Sequence, residues 1–370
     1  MSVLRTTGVA TAILILPYSG VANAATWQSA IVLPSTVEYD SNPVLATSNA
    51  KGVTRTIIAP DYTLVGTSDR DQWTFGLGVK VVHSSDTSIV SDRQDPDLKI
   101  GWQRETESGG FGLNAQYVES STLSTEVQGT GVIAPDGTQK LSLFGGNWST
   151  ALSDRTTLVD EADYTHVTYD VSTLTNYDQL SNLLSLNYTW SERVELFTRF
   201  GAMRYEPQQG SGVASSNSYT PTVGMNFDIS DRLKGSVYGG VNQVSGSSSP
   251  TGQGGFLLSY IGERIETSIG ASRGTFASGD GGFVESDNVN GLWSYALDDT
   301  SRTGFVTSWQ KTTGLTPNTL RTAGAWFSHE ISPFWEARLS YMYKERQQDN
   351  LPDATANVVG LTLTYSHPDF

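Results

Sequence analysis

The chain has 370 residues with 37 Gly and no Cys, and its formal net charge is −15. The lack of Cys excludes a disulfide framework, a thiolate zinc site and a cysteine nucleophile, and the acidic charge argues against nucleic-acid binding. Aromatic residues make up 10% of the chain and recur throughout it, which argues against intrinsic disorder. The hydrophobic content of 37% is nevertheless low for a soluble globular protein.

Residues 1–24 are predicted to be a secretory signal peptide. Arg5 supplies the positive charge, Val9 to Pro17 form a short apolar run, and Ala22 and Ala24 give a small-x-small cleavage pattern. The apolar run is about half as long as the ~20 residues that a spanning helix needs. We therefore predict an exported protein in which residues 25–370 form a single domain.

Long segments that alternate between apolar and polar residues follow from residue 30 to residue 366. Such alternation predicts β-strands, and these are about 10–14 residues long where soluble strands usually have five or six. Aromatic residues recur near the strand ends, which is typical of the interfacial girdles of membrane barrels. The predicted girdle residues are Trp73, Trp102, Tyr188, Trp190, Trp326, Trp335 and Tyr343.

The connections between these segments predict the topology. Eight short polar turns alternate with nine mostly longer loops, of which residues 121–140 form the longest. We therefore predict an all-β fold, a transmembrane up-and-down antiparallel β-barrel of about 18 strands in the outer membrane of a Gram-negative bacterium, with 16 as the alternative count. The short turns lie at residues 68–70, 107–109, 153–155, 191–193, 230–232, 262–264, 299–302 and 332–333.

A barrel of this size encloses an aqueous lumen. A Lys or Arg on the lipid face costs about 2–4 kcal/mol at mid-membrane, so charged strand residues are assigned to the lumen. These charges either pair with one another and hydrate the wall, or they guide a polar permeant. The pore-lining candidates are Lys80, Lys99, Glu195, Arg199, Lys234, Glu266, Glu336, Arg338, Lys344 and Arg346.

No catalytic pattern stands out in the sequence. The four His residues lack metal-ligand spacing. Asp160, Glu161, Asp163 and His166 resemble an acid–base cluster, but their mixed parity distributes them over both faces of one strand, which favours a solvated strand end. We expect no enzyme, no cofactor and no metal.

The segment Glu38–Pro43 resembles a family of outer-membrane β-barrel porins in which a Tyr/Trp-Asp-x-Asn-Pro run follows the first strand. The next segment, Thr56–Tyr62, is similar in carrying Pro-x-Tyr. Many members of that family occur with exopolysaccharide synthesis and export systems. The resemblance therefore implies a conduit for an exopolysaccharide. Because the sequence shows no periplasmic helical-repeat scaffold, we expect any link to an inner-membrane synthase to come from a separate protein.

Three functions stay open at this point. The first is polysaccharide export, and the second is a diffusion porin for small polar solutes, which needs a constriction that residues 121–140 could build. The third is a surface-binding protein. Expected partners are outer-membrane lipids and polysaccharide or small solutes, and no nucleic acid.

The C-terminus leaves a structural choice. Pro368 lacks an N–H, so either Tyr365 closes the last strand or Pro368-Asp369-Phe370 is read as an assembly signal in extended form.

Overall fold

The computed structural model describes residues 25–130, 135–208, 211–314 and 317–369. The predicted signal peptide and Phe370 lie outside these residues. The assignment of residues 25–370 to a single domain stays a prediction.

The described residues form nineteen strands and one short π-helix, Leu123–Thr130. Most strands have 11–16 residues, longer than the usual soluble strand, because alternation between apolar and small polar residues continues through each of them. The strands are β1 Thr26–Asp40, β2 Val53–Ile58, β3 Asp61–Thr67, β4 Asp71–Ser84, β5 Arg93–Thr106, β6 Gly109–Ser121, β7 Thr138–Ser153, β8 Thr156–Tyr169, β9 Tyr177–Ser191, β10 Val194–Pro207, β11 Ser216–Asp228, β12 Leu233–Val244, β13 Thr251–Ile261, β14 Ile265–Ser278, β15 Gly282–Ala296, β16 Ser301–Thr313, β17 Asn318–Ser332, β18 Trp335–Gln348 and β19 Ala354–Pro368.

The sheet closes on itself because β1 pairs with β19, from Ala30↔Pro368 to Asp40↔Val358. β2 and β3 each pair with both β1 and β4, so together they occupy one position in the wall. The break between them falls at Pro60, which cannot donate a ladder hydrogen bond. The result is a closed antiparallel barrel with eighteen strand positions, which confirms the predicted count.

The connections follow the predicted order. Eight short turns lie at the end of the barrel that carries both described chain ends, and nine mostly longer loops lie at the other. In outer-membrane barrels the short turns face the periplasm and the long loops face outward. β19 continues past Tyr365: Pro368 pairs with Ala30, and the N–H of Asp369 donates to the carbonyl of Ser29 at 2.7 Å.

No helix among the described residues is long and apolar enough to cross a membrane.

The outward face of the barrel is apolar. Large side chains such as Phe144 and Leu361 are more than half exposed, as expected for a surface that lipid covers. One girdle prediction is wrong, because Trp326 lies on an inward-facing position. Trp326 and Phe327 are adjacent on β17, so the alternation turns one ring outward and the other inward. Phe327 is the exposed one, and Trp326 packs under the guanidinium of Arg338 at 4.1 Å.

Candidate functional site

A cavity of about 580 Å³ lies inside the barrel. Side chains from β1, β2, β4 and β5 line one part of it, and side chains from β16 to β19 line another. The remaining lining residues are Ser121 at the end of β6 and Pro43, Val90, Leu123 and Ser124 from the first three long loops. The lining residues mostly take alternate positions along each strand, which identifies the inward-facing parity of the wall. The cavity is therefore part of the lumen.

The structure places the ten charged pore-lining candidates as follows. Lys80, Glu336, Arg338 and Lys344 line the cavity directly. Pairing between the strands puts the other six on the same inward-facing parity, and these are Lys99, Glu195, Arg199, Lys234, Glu266 and Arg346. That these side chains contact a permeant stays a prediction.

Asp40 is the centre of a buried charge cluster at the long-loop end of the lumen. It is 1% exposed, and its Oδ2 lies 3.5 Å from Nη2 of Arg55 and 3.4 Å from Nζ of Lys344. Arg55 also pairs with Glu38 at 2.7 Å, and Oδ1 of Asp40 accepts the backbone N–H of Asn42 at 3.0 Å. Two cations therefore share one carboxylate whose remaining oxygen fixes the start of the first long loop.

The Glu38–Pro43 motif has a structural role through Asn42. Its side-chain amide donates to the carbonyls of Ala46 and Thr355 at 2.9 and 3.0 Å, and its Oδ1 accepts the N–H of Ala46 at 2.8 Å. The amide thus ties the first long loop, residues 41–52, both to itself and to β19. Asn42 is 2% exposed, so these bonds are shielded from water.

The second and third long loops, residues 85–92 and 122–137, are joined by Asp136. One carboxylate oxygen accepts the N–H and the hydroxyl of Ser91 at 2.7 and 2.5 Å. Arg93 contacts the other oxygen at 3.7 Å and donates from Nε to Asp95 at 2.8 Å. The Ser91–Arg93 run, which resembles the short turns, therefore joins a long loop to the start of β5.

Asp92 closes the second long loop. Its Oδ1 accepts the backbone N–H of Ser84 at 2.7 Å, and its Oδ2 lies 2.8 Å from Nδ1 of His83. The hydrogen bond from Ser84 has the larger effect and that from His83 the smaller one, and both hold the pKa of Asp92 below its usual range. The carboxylate therefore stays ionised and holds the two ends of the loop together.

The first three long loops meet in one apolar cluster on the inner wall. Buried side chains from each loop pack there against inward-facing residues of β17 and β19, which keeps the loops inside the barrel. The buried members of the cluster are Leu45, Val90, Leu123, Leu320, Ala354 and Ala356.

The short helix Leu123–Thr130 extends from this cluster to a second one on another part of the wall. Glu126 is 1% exposed, and its Oε1 accepts the hydroxyl of Tyr169 at 2.7 Å and the side-chain amide of Gln139 at 3.1 Å. Tyr169 belongs to an aromatic cluster with Tyr177 and Tyr205. Leu123 and Glu126 therefore fasten the start of the third long loop to two parts of the inner wall. That this loop forms a constriction stays a prediction.

Replacing Tyr169 by Phe is expected to loosen this helix. The change removes a buried hydrogen bond to a carboxylate, worth about 1.5–3 kcal/mol. We expect backbone hydrogen exchange in residues 122–130 to quicken by about one order of magnitude or more. Tyr164→Phe is the matched control, since Tyr164 donates to Asp178 at 2.6 Å on the outward face. Equal exchange in both variants would contradict the anchoring role.

Arg346 is a buried cation on the inward face of β18. It is 5% exposed, and within the described ranges its Nε has no hydrogen-bond partner and no carboxylate pairs with it. Its neighbours across the ladder are Leu320 and Ala354, both members of the apolar cluster. An unpaired buried charge is costly, so a group that pairs with it binds favourably.

A smaller cavity of about 210 Å³ is lined by Leu320, the cross-strand partner of Arg346. Leu45, Leu123 and Leu320 give it an apolar side, and Gln310 and Lys344 are among its polar lining residues. For comparison, an apolar protein cavity of about 150 Å³ holds a benzene molecule. The cavity is therefore large enough for a small aromatic molecule.

The sequence cluster on β8 does not form one site. Pairing puts Glu161 and Asp163 on the inward parity and Asp160 and His166 on the outward parity. Oδ1 of Asp160 accepts the side-chain amide of Asn182 at 2.7 Å. In the described part of the chain, no group of three or more acidic or His side chains is arranged to hold a metal ion.

Sequence reasoning missed Asp40, Arg55 and Arg93. The parity of Asp40 could have been read from Val37 and Tyr39, which are apolar and more than 45% exposed. Arg55 lies between two Thr residues, so the alternation does not show whether its side chain points inward or outward.

Comparison with solved structures supports the architecture. OpdK, an outer membrane protein from Pseudomonas aeruginosa, superposes with a TM-score of 0.55 at 9% identity, covering 93% of this chain and 99% of that chain. P. aeruginosa OpdK with vanillate gives 0.53 at 9% identity, covering 92% and 98%. OccAB3 from Acinetobacter baumannii gives 0.50 at 11% identity, covering 92% and 99%.

The fold is that of a Gram-negative outer-membrane β-barrel. No family model matches the sequence, and no curated protein matches it. The outer-membrane location agrees with the prediction, whereas the contact of the apolar outward face with lipid stays an expectation.

Proposed function

We propose that the protein is a diffusion channel that takes up small organic anions with an apolar body. The observation that carries the proposal is Arg346, a 5% exposed guanidinium for which the described residues supply no counter-ion. A carboxylate, sulfonate or phosphate that reached it would replace lost hydration with charge-assisted hydrogen bonds. The cavity lined by its cross-strand partner Leu320 supplies the apolar contacts for the body of the molecule.

The charges of the larger cavity support the same ligand class. Arg55, Arg93 and Lys344 are paired with carboxylates, whereas Lys80 and Arg338 have no ion-pair partner among the described residues. Of the carboxylates that line this cavity, Glu336 is unpaired by the same criterion. Among the described residues, this cavity therefore has two cations and only one carboxylate that lack an ion-pair partner. OpdK, which has the same fold, was solved with vanillate, a small aromatic molecule, and this is consistent with the proposal.

The packed loops favour solute diffusion over polysaccharide export. A polysaccharide strand needs a continuous opening, but three long loops pack together inside this barrel through the cluster around Leu123. Small solutes need only the space that the loops leave. The diffusion porin is therefore the better supported of the functions that the sequence leaves open.

Liposome swelling with the purified barrel tests the proposal. Benzenesulfonate is a suitable probe because it is a permanent anion with an apolar ring, and glucose and maltoheptaose are the neutral comparisons. We expect benzenesulfonate to enter faster than glucose and maltoheptaose to be excluded. Rapid maltoheptaose entry would favour the polysaccharide conduit, and liposomes that admit no solute would overturn both transport functions.

A further inference from the structure

A groove of about 400 Å³ runs along the outward face of the barrel, between β12 and β16. Its centre is a row of directly paired residues on five neighbouring strands. The small Ala271 lies between Phe256 and Val289, and Gly254 deepens the groove on the long-loop side of Phe256. The row is Val237, Phe256, Ala271, Val289 and Trp309.

The long-loop end of the groove is charged. Nε and Nη2 of Arg273 donate to the two carboxylate oxygens of Asp287 at 2.5 and 2.7 Å. Lys311 is the cross-strand partner of Asp287 and has no ion pair in the part of the chain that the structure describes. Glu285 is the next charged residue on this face toward the loop. The groove is therefore apolar toward the middle of the membrane and polar toward the outer surface.

We propose that this groove binds one lipid of the outer leaflet, with an acyl chain along Ala271 and a phosphate-bearing head group at Arg273 and Lys311. A groove in a membrane-facing wall is filled by hydrocarbon or protein, because water does not hydrate that depth. Phe256 and Val289 flank the small Ala271, so the wall is concave there, and a single acyl chain fits this concavity better than the convex wall of a second barrel.

The donor groups match a phosphate. The Asp287 carboxylate uses two of the five N–H donors of the Arg273 guanidinium, and the other three have no hydrogen-bond partner among the described residues. Lys311 adds an ammonium group, so two cations face one carboxylate at the immediate edge of the groove. A neutral head group would leave these donors unused.

Native mass spectrometry of the detergent-solubilised barrel tests the site. The probes are phosphatidylglycerol and a diacylglycerol with the same acyl chains. Ala271→Trp fills the groove and is expected to abolish the first bound lipid. Ala115→Trp, on the outward face between Ile100 and Phe144, is the matched control and should keep it.

Two further variants separate the head group from the acyl chain. Lys311→Ala should weaken phosphatidylglycerol binding about fivefold and leave diacylglycerol unchanged. Trp309→Ala removes a large side chain from the groove lining and should weaken the binding of both lipids. This variant therefore tests the site even if Ala271→Trp does not fold. Equal lipid binding by wild type, Ala271→Trp and Trp309→Ala would overturn the site. A lipid-free wild-type dimer that Ala271→Trp converts to monomers would assign the groove to a second copy instead.

Discussion

Replacing Arg346 by Met is expected to slow benzenesulfonate entry about ten- to hundredfold and to leave glucose entry unchanged. The variant loses charge-assisted hydrogen bonds to the anion, worth about 1.5–3 kcal/mol. It also removes a 5% exposed charge that has no counter-ion among the described residues. Exchanging such a charge for an apolar side chain of similar volume is neutral or stabilising. The unfolding temperature, followed by heat-modifiable migration, should therefore stay the same or rise.

Arg199→Met is the matched control for this result. Arg199 is inward-facing and also has an unpaired Nε, but it lies over the ring of Phe197 at 4.0 Å, on a strand that does not line the cavity. It changes the lumen charge by the same amount as Arg346→Met. If both variants slow benzenesulfonate equally, the effect comes from the overall charge of the lumen and Arg346 is not a binding residue.

Replacing Asp40 by Ala is expected to widen the channel. The change leaves Arg55 with one carboxylate partner and Lys344 with none among the described residues. Removing one member of a buried charge cluster costs about 3–5 kcal/mol. The barrel wall keeps its ladder hydrogen bonds, so the cost falls on the packing of residues 41–52. We expect a larger single-channel conductance in planar bilayers and protease cleavage within this loop.

Asp97→Ala is the control for the Asp40 variant. Asp97 also pairs with an inward-facing cation, Lys99, at 2.9 Å, but its side chain is 30% exposed. Pairs of this kind contribute about 0–1 kcal/mol. The control should conduct like the wild type. An unchanged conductance for Asp40→Ala, with the loop still resistant to protease, would show that the charge cluster does not hold the loop.

The strand ladder could be predicted from the sequence because its causes are local. Alternation and turn residues determine where each strand begins and ends, and counting the turns gave the eighteen positions of the wall. The exceptions are local as well. Pro60 divides one wall strand into β2 and β3. On β17, Trp326 and Phe327 are adjacent aromatic residues, so the sequence pattern does not show which of the two points outward.

The inner loops could not be predicted because their contacts join distant parts of the chain. The amide of Asn42 bonds to Thr355 across 313 positions, and Lys344 reaches Asp40 across 304. No short pattern encodes such contacts. The alternation along its strand predicts that Arg346 points into the lumen. Its burial, in contrast, depends on loops from the other end of the sequence.

The attachment of the first loop to the closing pair of strands has a consequence for biogenesis. Ser41 and Asn357 exchange two hydrogen bonds, of 3.0 and 2.8 Å, immediately beyond the register in which β1 meets β19. These partners are brought together only when the last strand to be synthesised joins the first, the contact with the largest loop-closure entropy in the chain. The first long loop can therefore take its packed position only after the barrel has closed.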